Sequence, residues 1–107
     1  MIKAPKLVNA RVLADNYPEA YDFPGEDALL RLDVGQCVHV RPDTRPSECL
    51  VIEVTEKDQE NLVGKICNHL NMARVHGLAH GEFIQFKTEN ISHVEAPSRA
   101  RVSRVRA

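Results

Sequence analysis

Three histidines, His69, His76 and His80, share one stretch just after Cys67. His76 and His80 are four apart, a spacing that on a helix puts both rings on one face and could hold zinc. Gly77 and Gly81 stand beside them and weaken any helix. Neither Cys-x-x-Cys nor His-Glu-x-x-His accompanies the histidines, so they read as loop residues and no metal ion is expected. Cys67 and His69 are two apart, on one face if a strand runs that far. They form the one local thiol–base pair that nucleophilic catalysis could use. No Gly-rich elbow or helix start stands by to stabilise an oxyanion. Cys67 therefore reads as a core thiol, and the chain as non-catalytic and free of cofactors. The five glycines, at 25, 35, 64, 77 and 81, are scattered and match no phosphate-binding loop.

Charge is more informative. Arg99, Arg101, Arg104 and Arg106 lie in a stretch from Ser98 onward that has no acid. Setting these four aside leaves ten of the 14 basic residues against 15 acids, a body of −5 beside a tail of +4. A negative body repels nucleic acid and attracts basic proteins. Glu53, Glu56, Asp58 and Glu60 cluster on one predicted hairpin and its flanks and read as a solvated acidic rim. The Arg stretch could neutralise phosphates, although the aromatic platforms that stack bases are absent from it. It could equally lie against an acidic protein face.

The elements that must position these groups follow from pattern. The 107 residues fit one domain, expected over 1–96, with 97–107 a basic, disordered tail. Aromatics are few and Trp is absent, so the core is built from Val, Leu and Ile. Residues 5–14 give a weak strand or amphipathic signal. Residues 16–25 are rich in turn formers, with Tyr17, Tyr21 and Phe23 expected to pin this loop to the body. Residues 26–32 suit one or two helical turns, with acids at the start. From Gly35 the pattern turns to strands. Val38 and Val40 alternate, then Leu50, Ile52 and Val54, with a polar hairpin loop at 56–60. A third strand covers 61–67, with Gly64 as a bend or bulge. Residues 68–80 read mainly as loop, with room for a helical turn around Asn71 to Val75. A strand at 81–86 with Ile84 and Phe86 inward, a one-turn break at 87–90 and a short last strand at 91–94 complete the set. The expected fold is mainly β with minor α. It is a small five-stranded SH3-like barrel, or half-open barrel, with an N-terminal extension and one short helix.

Leu32-Asp33-Val34-Gly35-Gln36-Cys37-Val38-His39-Val40 resembles the opening of a group of small bacterial proteins of unknown function, the YegJ-like family. Glu53-Val54-Thr55-Glu56 and Val63-Gly64-Lys65-Ile66-Cys67-Asn68 are similar to that family's second and third strands. Residues 78–86 and Ile91 are similar to its last two. The chain departs from the family where Cys49, Leu50 and Val51 replace Arg, Met and Trp, and where His69-Leu70 follows Asn68 in place of a proline pattern. The resemblance covers about residues 26–95. It implies a relation to the immunity proteins of polymorphic toxin systems.

Composition, loop and resemblance together give an expectation of function. The chain reads as a cytoplasmic protein-binding domain of immunity type that neutralises a basic bacterial toxin domain. No stretch approaches the ~20 apolar residues needed to cross a bilayer, and the first residues lack a leader pattern. The expected contacts are Asp43, Glu56, Asp58 and Glu60, with Asn68, His69, Asn71, His76 and His80 from the long loop. The alternative is a small barrel that binds nucleic acid through Arg99, Arg101, Arg104 and Arg106.

Overall fold

The structure is a computed structural model, and it describes residues 2–21 and 23–95. Its centre is a mixed, open sheet of six strands in the order β1-β5-β4-β3-β2-β6. The strands are β1 (Ile2–Lys3), β2 (Cys37–Val40), β3 (Leu50–Asp58), β4 (Asn61–Ile66), β5 (Phe83–Lys87) and β6 (His93–Val94). Neighbours from β5 to β6 pair antiparallel, and β1 joins β5 in parallel. The mainly-β reading therefore holds, with one strand more than expected. The extra strand is β1, only two residues long and too short to leave a periodic signal.

Alternation sets the core. Val38 and Val40 on β2, Leu50, Ile52 and Val54 on β3, and Ile66 and Ile84 on β4 and β5 are fully buried. Each such aliphatic side chain contributes about 1.5–3 kcal/mol on leaving water. Leu29, Leu32, Leu62, Leu78, Phe86 and Ile91 complete one continuous cluster. The alternate residues, Cys37, His39, Val51 and Glu53 among them, are half-buried on the opposite face.

Among the described residues there are three short α-helices, where one was expected. α1 (Ala10–Asn16) begins at Asn9, whose Oδ1 accepts the Val12 N–H at 3.1 Å. It stops at Tyr17, the residue before Pro18, where the helical region is disfavoured. α2 (Glu26–Leu30) has Glu26 and Asp27 in its first turn and ends several residues before Gly35. α3 (Ala73–His76) lies in the stretch read as loop, and a left-handed Gly77 (φ 72°) closes it. A 3-10 turn (Thr88–Asn90) separates β5 from β6, as the one-turn break implied.

The N-terminal extension is a strap. After β1 has paired with β5, Leu7 bridges Pro42 just beyond β2. Val8 N–H donates to the Arg41 carbonyl and Asp43 N–H to that of Lys6, both at 2.9 Å. One segment thus touches both sides of the open sheet. Of the aromatics expected to pin residues 16–25, Phe23 packs on the core beneath the Arg11 guanidinium, 5.2 Å from the ring centre. Tyr17 and Tyr21 are not part of the core cluster. They are exposed and meet edge-on at 6.3 Å between centroids.

Candidate functional site

The acidic rim is built by a β-bulge. Inward residues on β3 are even-numbered as far as Val54, so parity alone would send Glu56 into the core. The register shifts between Val54 and Glu56, so that Val54 faces Gly64 while Glu56 faces Val63. The shift turns Glu56 and Asp58 outward and Lys57, opposite the buried Leu62, inward. β3 consequently runs on to Asp58, where a loop had been expected from Glu56. The hairpin closes through Gln59, in the left-handed region at φ 57°, and Glu60. Glu56, Asp58 and Glu60 are all exposed, and among the described residues none meets a cation within 4.0 Å.

Lys57 ties this hairpin to the end of α2. Its ammonium donates to the carbonyls of Leu29 at 3.2 Å, Leu30 at 3.1 Å and Leu32 at 2.8 Å. The three carbonyls lie at and just beyond the end of α2, where a cation is favoured; that of Leu29 also accepts the Leu32 N–H at 3.3 Å. Two grooves flank Lys57. One, of about 410 Å³, has Glu56 and Asp58 on its rim and Ala4, Pro5, Leu62 and Phe86 among its lining. The other, of about 450 Å³, is lined by Arg11, Glu26, Leu30 and Glu60, and Leu30 there is 78 % exposed.

The long loop lies at the other end of β3. Asn68 is half-buried and acts as a peptide mimic: Nδ2 donates to the Cys49 carbonyl and Oδ1 accepts the Val51 N–H, both at 2.9 Å. Glu48 accepts the N–H groups of Asn71 (2.9 Å) and Met72 (3.1–3.2 Å). The His76 ring is 1 % exposed and fixed from both sides. Its Nδ1 accepts the Leu78 N–H at 3.0 Å, so the neutral ring carries its proton on Nε2, 3.3 Å from Glu48. Partial burial raises the Glu48 pKa, but the Asn71 N–H, His76 and the Met72 N–H together hold it below 4.5. Glu82 is lowered chiefly by its hydrogen bond with Lys3, against a smaller opposing effect of burial, with help from the Ala79 N–H. That Lys3 ammonium lies 2.7 Å from Glu82 and donates to the Gly77 carbonyl at 3.0 Å. His69 and His80 are exposed, their rings stacked at 5.1 Å.

The expected contact residues therefore sit at two ends of a nine-residue strand, about 30 Å apart. Glu56, Asp58 and Glu60 share the hairpin tip. Asn68, His69, Asn71, His76 and His80 share the opposite end with Asp43, whose carboxylate is 3.7 Å from Lys6. In this second group Asn68 and His76 serve the fold, while His69, Asn71 and His80 are exposed. Gly77 ends α3 at His76, so His76 and His80 do not share a helix face. Among the described residues no three His, Cys, Asp or Glu side chains are grouped to hold one ion. Cys67 is not a core thiol: it is exposed, and its Sγ–H points to the Lys65 carbonyl at 3.3 Å. Burial pushes the Cys49 thiol up; Arg41 opposes the shift and Glu95 adds to it. The stretch carrying Arg99, Arg101, Arg104 and Arg106 lies outside the described residues. No described helix is long and apolar enough to cross a membrane.

No family model, curated protein or solved structure matches this chain.

Two arrangements were missed in the sequence. Glu48 and Lys57 were not singled out, because most of their partners are backbone groups that leave no signature. The outward face of β2 was legible in the Val38-His39-Val40 alternation, yet its neighbour was not. Pairing the first long strand with the last sets His39 directly beside His93.

Proposed function

We propose that this chain is a non-catalytic binding protein of immunity type, which uses the β3–β4 tip to cover a basic protein domain. The supporting observation is the set of three carboxylates, Glu56, Asp58 and Glu60, exposed and, among the described residues, without a cation within 4.0 Å, on a hairpin that Lys57 ties to the end of α2. A cluster of like charges on an anchored tip concentrates negative potential, which accelerates encounter with a cationic partner and rejects anionic ones. The grooves beside the tip offer apolar walls for a partner's side chains. The resemblance to the YegJ-like family and its immunity relatives points the same way. The strand order β5-β4-β3-β2-β6, with a 3-10 turn before the last strand, supports an SH3-like half-open barrel. In this reading the N-terminal strap spans the opening.

Affinity capture from the native cell tests the reading. Wild-type protein is compared with the Glu56→Lys, Asp58→Lys, Glu60→Lys triple variant, and eluates are identified by mass spectrometry. The expected result is a basic protein that the wild type retains and the variant loses. Recovery of nucleic acid in its place, or equal capture by both proteins, contradicts the reading.

A further inference from the structure

β2 and β6 pair antiparallel with His39 opposite His93, so the two side chains stand side by side on the face away from the core. Their ring centroids are 5.0 Å apart and the planes are inclined by 56°. The third member is Glu95, whose Oε2 lies 2.7 Å from His39 Nε2. A carboxylate can only accept, so Nε2 donates, and the neutral ring keeps its lone pair on Nδ1. This is the arrangement that orients metal-binding histidines: one ring nitrogen is tied to a carboxylate, and the other becomes more basic toward a cation.

The separation fits as well. A metal about 2.0–2.1 Å from a ring nitrogen lies roughly 3.2 Å from the ring centre, so two cis rings place their centroids about 4.5–5.2 Å apart. The His69–His80 pair has a similar separation, 5.1 Å, but its planes are only 24° apart and the rings are stacked. Lone pairs lie in the ring plane, so those of two stacked rings run side by side and do not converge.

We infer that His39 and His93, with Glu95 orienting His39, form a surface site for a divalent transition metal of the nickel, copper or zinc type. Two imidazole nitrogens are the protein's ligands, and water completes the shell. Imidazole selects these ions over magnesium and calcium, which prefer oxygen. Bound metal ties the short β6 to β2 and stabilises the folded chain by mass action.

The test uses tag-free protein and the metals alone. Thermal melts are recorded with increasing NiCl2, ZnCl2 or MgCl2. Imidazole resonances are followed by NMR as NiCl2 is added to the wild type, which needs no variant. Saturable stabilisation by nickel and zinc but not magnesium is expected, with broadening of His39 and His93 first. His93→Gln, at an exposed position, removes both effects, and Glu95→Gln weakens binding by about tenfold. His80→Gln leaves them unchanged. Absence of any melt shift or broadening overturns the site. So does first broadening at His69 and His80, or undiminished binding by His93→Gln.

Discussion

The Glu48 carboxylate faces the His76 ring across 3.3 Å, and the two residues, 28 positions apart, close the loop that follows β4. Glu48 also receives the Asn71 and Met72 N–H groups, so one side chain serves as partner for three donors. His76 in turn takes the Leu78 N–H. The loop keeps its shape through this pair, which leaves His69 and His80 presented outward.

Acid should release that loop. The folded pKa of Glu48 is below its ordinary 4.5, so its contribution to stability is complete above that value. The contribution fades as pH falls below 4.5 and through the lower folded pKa. Glu82 has the same sign and adds to the loss. Chemical denaturation between pH 7 and pH 3 should show stability falling below about pH 4.5 in the wild type. The fall should be shallower in Glu48→Gln, which should also lose amide-exchange protection at Asn71 and Met72 at neutral pH. An unchanged pH slope in the variant would show that Glu48 is not the group responsible.

Lys57→Met should destabilise the protein by about 1–2 kcal/mol, because three carbonyls lose one charged donor and only partly regain water. The loss should be local. Amides at the end of α2, near Arg31 and Leu32, should exchange faster, while those in the centre of β4 keep their protection. Lys57→Arg should recover part of the stability, since a planar fork does not converge on three oxygens as an ammonium does.

Gly64 leaves room for the neighbouring strand β3. A Cβ at this position would collide with the Ile52 side chain and stand 2.7 Å from the Glu53 carbonyl oxygen. Gly64→Ala should therefore cost about 1–3 kcal/mol, read as a lower denaturation midpoint with an unchanged slope. Gly25→Ala is the control, because a Cβ there meets nothing within 4 Å. Equal stability of the two variants would show that the close approach at the bulge is relieved without cost.

The sheet was legible where one face is aliphatic and the period is two, as in Val38-His39-Val40 and Leu50 to Val54. It was not legible where the chain breaks period. The shift at Thr55 turns Glu56 outward and Lys57 inward, and nothing in the residue types there announces it. The Asn9 cap of α1 was present in the sequence, but Pro5 and the turn-rich stretch after Asn16 obscured the helix between them. Separation of the acidic tip from the histidine loop depends on β3 continuing through Asp58, which a polar run of Glu, Lys and Asp concealed. Charge, by contrast, survives folding: the acids picked from the sequence at 56, 58 and 60 are those exposed on the tip.

Association kinetics with the captured basic protein report whether the acidic tip steers binding. Rate constants are measured at about 20 mM and 500 mM salt, where the screening length falls from more than 20 Å to under 5 Å. The wild type should associate at least about tenfold faster at low salt, and the Glu56→Lys, Asp58→Lys, Glu60→Lys variant should lose that advantage. Association that is indifferent to salt, or equally fast for the reversed tip, would contradict the account.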